Sequence, residues 1–324
     1  MTVSNNHETS LEPSWWTRPW AGIRWLIIVG GIGFAVHLVI PQIGELEQAA
    51  TTLRQGNWWW LIAAAAFSAL TYPASAIGVL GSVPNRISFR LTTVTQLATS
   101  VATLAAPAGL GGVALNQRYL ERQGVTRPAA VAGLTLNLTV AAAIHVVAMV
   151  ATAAILGATL PNTVHLPPRR HIVDAAVIVA VVIGVVLWSR PVRRRVLRPI
   201  GSALRSLPDL VKHPTRAAQL VGSALLVNLM YIASLQAATA SFGPAPDLAH
   251  TMLIYLVAAV VGTITPTPGG LGGFEAALVA GLTRIGPTAG HAVAAALTFR
   301  LLTFWLPILP GLLALRSLRN RELI

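Results

Sequence analysis

Long apolar runs separated by short polar stretches dominate this chain of 324 residues. Six of them, Leu26–Ile40, Leu61–Leu80, Pro128–Leu160, Ile172–Trp188, Ala217–Phe242 and Thr288–Leu315, predict membrane-spanning helices, because about 20 apolar residues cross the hydrocarbon of a bilayer. The first run follows Trp15, Trp16, Arg18, Trp20, Arg24 and Trp25, a mixture suited to the headgroup layer. No small-residue cleavage site follows it directly, so it reads as a signal anchor. Trp58, Trp59 and Trp60 mark a second interface before the next span. The polar start reads as a disordered cytoplasmic tail over residues 1–20, and 317–324 as a second cytoplasmic tail. Residues 21–316 form a single transmembrane domain in this reading.

Two further apolar segments are broken. Leu91–Leu115 contains Pro107, Gly109, Gly111 and Gly112, and His250–Leu282 contains Pro266, Pro268, Gly269, Gly270, Gly272 and Gly273. Roughly 15 residues precede each break, too few to cross a bilayer. Helix breakers at that depth are tolerated inside protein or beside a water-filled cavity, not against lipid. Both segments therefore predict re-entrant hairpins, over 91–124 and 250–286. The expected fold is an all-α polytopic membrane protein with about six transmembrane helices and two re-entrant hairpins.

Composition agrees with this picture: 54% of the residues are hydrophobic and 10% charged, against about 25% charged in a soluble domain. The chain has no cysteine, which excludes disulfides, thiolate nucleophiles and Cys-ligated metals. Of its 23 basic residues, 22 are arginine, and the formal net charge is +13. On a membrane protein this bias points to an anionic lipid surface rather than to nucleic acid. With both termini cytoplasmic, 18 basic residues fall inside and four outside, as the positive-inside rule demands. Eight of the 18 lie between Arg190 and Arg216. There Val192, Val196, Leu197, Ile200, Leu204, Leu207 and Val211 recur at steps of three and four among arginines. Residues 190–216 thus read as a basic amphipathic loop on the cytoplasmic face.

The two breaks also resemble each other. Pro107-Ala-Gly-Leu-Gly-Gly112 matches Pro268-Gly-Gly-Leu-Gly-Gly273 at five of six positions, and Gly124 and Gly286 follow at nearly equal spacing. Entering from opposite sides, the hairpins predict inverted repeats, the architecture in which transporters place a binding site near mid-membrane.

The segment Thr265-Pro-Thr-Pro-Gly-Gly-Leu-Gly-Gly-Phe-Glu275, with Arg300 on the next span, resembles the lysylphosphatidylglycerol synthase transmembrane-domain family of flippase-like membrane proteins. The resemblance covers roughly Gly56 to Leu315. It implies translocation of aminoacylated phosphatidylglycerol or related lipids. Within this chain nothing corresponds to a soluble aminoacyl-transferase half, so lipid synthesis is not implied. Asn137 stands near the place where relatives carry a charged pair.

Glu275 and Arg300 are the charged residues placed well inside predicted spans. An intramembrane charge costs about 2.5–3.5 kcal/mol on insertion scales and so marks function or pairing. Two readings stand: Glu275 contacts a cationic headgroup or carries a proton, or it bridges to Arg300 and fixes two helices. Glycines at the breaks let backbone N–H groups converge on a helix N-terminus, a natural phosphate site. The second break, Pro268, Gly269, Gly270, Gly272 and Gly273, shares its helix start with Glu275. The first break, Gly109, Gly111 and Gly112, carries no such acid and is expected to be the better phosphate site, with Asn116 and Arg118 nearby. The polar arm Asn116 to Gln123 implies water reaching in from the cytoplasm. Isolated His145, Asn228 and Gln236 predict interhelical hydrogen bonds.

The opposed hairpins and intramembrane charges support a lipid flippase, and the resemblance implies a phospholipid or a related anionic or aminoacylated lipid as what it moves. The alternative is a non-catalytic anchor or assembly subunit for a separate lipid or glycan enzyme of the cell envelope. Catalysis by this chain is not expected, because no metal cluster or nucleophile–base arrangement is visible. Neither a cofactor nor an ATP-binding motif is apparent, so net pumping would draw on an ion gradient or a product sink.

Overall fold

The computed structural model describes residues 56–104, 110–159, 213–265 and 267–324. Among these the chain is helical throughout. The helices are α1 (Trp58–Ser82), α2 (Phe89–Leu104), α3 (Leu110–Arg122), α4 (Arg127–Thr159), α5 (Pro214–Ala240), α6 (Leu248–Ile264), α7 (Gly273–Leu282), α8 (Ala289–Arg300) and α9 (Ile308–Asn320). A π turn, Leu301–Trp305, joins α8 to α9, so that Ala289–Asn320 forms one run of 32 residues. Together with α1, α4 and α5 it makes four helices long and apolar enough to cross a membrane. They coincide with four of the six expected spans to within a few residues at most ends. The expected spans Leu26–Ile40 and Ile172–Trp188, the N-terminal tail and most of the basic loop lie outside the described residues.

Local sequence accounts for the helix starts. Asn57 caps α1 by accepting from the N–H of Trp59 at 3.1 Å, Asp247 caps α6 by accepting from Ala249 at 3.0 Å, and Thr288 caps α8. Arg216, placed by the sequence reading in the basic loop, instead sits in the first turn of α5. Its Nε and Nη2 donate to the carbonyls of Gly81 and Ser82, both at 3.1 Å. A cation there satisfies acceptors left free at the C-terminus of α1.

α1 and α5 lie side by side and antiparallel. The N–H of Asn57 donates to Ser241 O, Ser234 Oγ to Ala64 O at 2.9 Å, and Ser223 Oγ to Ala74 O at 2.7 Å. With Arg216 on Gly81 and Ser82, the partners descend along α5 as residues ascend along α1. Small residues make this approach possible: a Cβ on Gly78 would stand 2.5 Å from Ser223 Oγ.

Each half repeats one order: a long helix, a pair of shorter helices, a long helix. α2 packs on α3, and α6 on α7. Gly124 and Gly286, which end the two pairs, both take positive φ, +81° and +131°. The two halves meet through α1 against α5, α2 against α9, and α4 against both α5 and α6. Buried aromatic rings join the second half: Phe274 stacks on Phe299 at 5.9 Å, and Tyr231 on Tyr255 at 5.8 Å. α4 shows the opposite face of the design. Its Val146, Val147, Val150 and Ile155 are exposed, which suits contact with lipid.

Candidate functional site

The loop between α6 and α7 is built from its glycines. Pro268–Gly270 makes one 3-10 turn, with φ of +65° at Gly269, +69° at Gly270 and +85° at Gly272. Gly270 also lies against backbone: a Cβ there would stand 2.5 Å from the carbonyl oxygen of Gly262. A side chain at this position is excluded both by conformation and by space. Thr267 Oγ1 closes the turn by donating to Leu271 O at 2.8 Å.

Glu275 and Arg300 lock this turn. One carboxylate oxygen of Glu275 accepts from its own helix start, the N–H of Gly272, at 2.7 Å. The other accepts from Arg300 Nε. Arg300 Nη2 continues to Gly269 O at 2.6 Å. The guanidinium lies 4.8 Å from the ring centroid of Phe274 and 4.6 Å from that of Phe304, a stacking that lowers the cost of burying it. Arg300 is 8% exposed. Of the two readings open in the sequence, this geometry is that of the bridge: both charges are matched within the chain. Glu275, Arg300, Pro268, Gly269, Gly270, Gly272 and Gly273 are all brought together here.

The first pair of helices is arranged differently. α3 begins at Leu110, so Gly111 and Gly112 belong to its first turn rather than to the break. Gly111 packs on the carbonyl of Ala102, and a Cβ on Gly112 would meet Thr103 and Thr99 at 3.2 and 3.3 Å. Their observed role is close packing of α3 on α2. Asn116 is buried; its Nδ2 donates to Gly112 O at 3.1 Å, and its Oδ1 accepts from Gln96 Nε2 at 2.7 Å. Arg118 is exposed and stands eight residues from the start of α3, about 12 Å along the axis. The expected grouping of Arg118 with the glycines is therefore not found. Gly109 lies outside the described residues.

Beside the first pair, among α1, α2, α5 and the π turn, the structure opens cavities. One, of 210 Å³, is lined by Ser75, Gln96, Asn116, Asn137, Ser223 and Asn228 among others. A second, of 200 Å³, shares Ser75 and Gln96 with it and adds hydroxyls from α1, α2, α5 and the π turn. The turn Pro268–Gly270 packs against α2, which lines both. A third cavity, of 330 Å³ and mainly apolar, adjoins the second at Tyr72 and is lined by Leu97, Leu302, Leu306, Pro307 and Pro310 among others. A signal for the polar cavities existed in the sequence: Thr92, Thr95, Gln96, Thr99 and Thr103 recur at helical spacing within an apolar helix. His145 meets Asn228 at 2.9 Å and Leu256 O at 3.0 Å, joining α4 to α5 and α6 as an interhelical link. Gln236 instead donates to Pro246 O, in the loop that follows its own helix.

Four long apolar helices, broken helix pairs and a satisfied buried ion pair beside polar cavities define a multi-pass helical membrane protein. No curated protein matches the chain at significance. The family model for the lysylphosphatidylglycerol synthase TM region matches residues 25–311. The chain belongs to that family.

Proposed function

We propose that this protein moves a phospholipid, or a related anionic or aminoacylated lipid, between the leaflets of the cell membrane. The carrying observation is the cavity system that α1, α2, α5 and the π turn enclose beside the first broken helix pair. Polar space at the centre adjoins an apolar crevice at Tyr72, a pairing that suits an amphiphile whose headgroup and acyl chain travel in different surroundings.

In this reading the described helices belong to six spans and two re-entrant hairpins, with both termini in the cytoplasm. The halves are inverted repeats, and the antiparallel packing of α1 on α5 supports that relation. Chemistry on the lipid is no part of the proposal; the chain carries the headgroup and alters nothing in it.

The test is reconstitution into vesicles containing a fluorescent phospholipid, followed by chemical quenching from outside. Translocation raises the quenched fraction above the half accessible in protein-free vesicles. A quenched fraction equal to that of protein-free vesicles would dismiss the proposal. The family's description as part of a synthase favours a second reading, a membrane partner for a separate lipid-modifying enzyme. Co-purification of such an enzyme, without lipid movement, would support it.

A further inference from the structure

Five of the hydroxyls that line the cavity of 200 Å³ have their hydrogens already committed. Thr71 donates to Ser68 O at 2.6 Å, Thr99 to Gln96 O at 2.6 Å, and Ser100 to Leu97 O at 2.7 Å. Thr103 donates to Thr99 O and Thr303 to Phe299 O, both at 2.7 Å. A hydroxyl has one hydrogen and two lone pairs. These five oxygens can therefore only accept from anything entering the cavity. Gln96 spends one N–H on Asn116 and keeps its carbonyl oxygen as a further acceptor. The Tyr231 hydroxyl is taken by its hydrogen bond to Thr71, so the donors left among the described lining residues are the hydroxyls of Tyr72 and Ser75 and the second N–H of Gln96.

An acceptor-rich wall selects for a guest that brings donors. A phosphate brings none and would meet lone pairs. An ammonium brings three, but its charge would need a partner once desolvated. No charged residue lines the cavity among the described residues. The carboxylate of Glu275 is taken by Arg300 and the N–H of Gly272, and Arg300 itself lies against Phe304 of the cavity wall. Hydroxyl groups bring donors without charge. The adjoining cavity continues the same chemistry through Ser75 and Gln96 to the amides of Asn116 and Asn137, which both accept and donate.

We infer that the cavity takes an uncharged, hydroxyl-rich headgroup, the polyol or sugar of a lipid, with an acyl chain in the apolar crevice beyond Tyr72. This rests on the translocation reading and names the substrate class within it. A phospholipid whose phosphate carries a polyol satisfies both, with its phosphate outside the hydroxyl-lined space.

The experiment compares headgroups on one fluorescent acyl chain in vesicles containing the full protein. Phosphatidylinositol and phosphatidylglycerol supply polyols. Lysylphosphatidylglycerol and phosphatidylethanolamine supply ammonium groups, and phosphatidic acid supplies phosphate alone. The polyol lipids should move about tenfold faster than the others, because a site built around hydrogen-bonding hydroxyls rejects analogues that lack them. Thr99→Val and Thr303→Val keep side-chain shape and remove one acceptor each. Each should slow polyol lipids about fivefold and leave the ammonium lipids at their slow rate. Where a variant elutes as aggregate, the headgroup ranking of the unmodified protein decides alone. Equal rates for all lipids, or fastest movement of an ammonium lipid or phosphatidic acid, overturn this inference while translocation stands. Movement of no lipid above protein-free vesicles overturns both.

Discussion

Arg300 on α8 donates to the carboxylate of Glu275 at the start of α7, and with its second arm to the carbonyl of Gly269. One cation thus ties the next long helix to both sides of a glycine turn, while the carboxylate it neutralises caps the helix that the turn begins. Neither charge is left for lipid or water to satisfy. That arrangement sets what happens when one partner is removed.

Glu275→Gln and Arg300→Gln should each lower the melting temperature in detergent, because breaking a buried pair strands the remaining charge at a cost of about 3–5 kcal/mol. The double substitution should recover much of the loss. Two folded single variants with unaltered melting and abolished translocation would instead assign the pair to substrate.

Gly270 and Gly272 separate two penalties. Both have positive φ, and alanine in that region costs about 1–2 kcal/mol. A Cβ on Gly272 meets nothing within 4 Å, whereas one on Gly270 meets the backbone of Gly262. Gly270→Ala should therefore destabilise distinctly more than Gly272→Ala in parallel thermal melts. Equal melting temperatures for the two variants would contradict the packing of the turn on α6.

The register of α1 on α5 can be read by cross-linking, since the chain has no cysteine of its own. Cysteines at Ala64 with Ser234, or at Ala74 with Ser223, join positions in contact and should form disulfides under mild oxidation. The mismatched pair Ala64 with Ser223 should not, because disulfide geometry requires close Cα atoms. Cross-linking of the mismatched pair in preference would mean a different alignment of the halves.

Opposite entry of the two hairpins predicts opposite labelling. A cysteine at Gln123 should react with a membrane-impermeant thiol reagent only from the cytoplasmic side, and one at Pro287 only from outside. Labelling of both from the same side would end the inverted-repeat proposal.

Much of this protein could be read from order along the chain. The spans corresponding to α1, α4, α5 and α8–α9 follow from hydropathy alone, because in lipid a long apolar run has no option but to satisfy its backbone internally. Pro268, Gly270 and Gly272 announced a break, since helix interiors disfavour proline and glycine. The pairing of Glu275 with Arg300 was one of two readings, both resting on the cost of an intramembrane charge.

What tertiary structure alone decided depends on which surfaces meet. Gly111 carries the same letter as Gly272, yet it lies inside α3 and packs on α2, whereas Gly272 caps α7 at positive φ. Arg118 is close to Gly111 in sequence and far along the helix axis. Gln96 and Asn116, 20 residues apart, are joined only because α2 folds back on α3. The cavity hydroxyls of α2 follow one helical stripe, but those of α1, α5 and the π turn join them only through packing. A serine or threonine in an apolar helix looks the same whether it bonds its own backbone, a neighbouring helix or a guest. Its role is set by what the fold places opposite it, and that information is carried by contacts between distant segments rather than by any window of the chain.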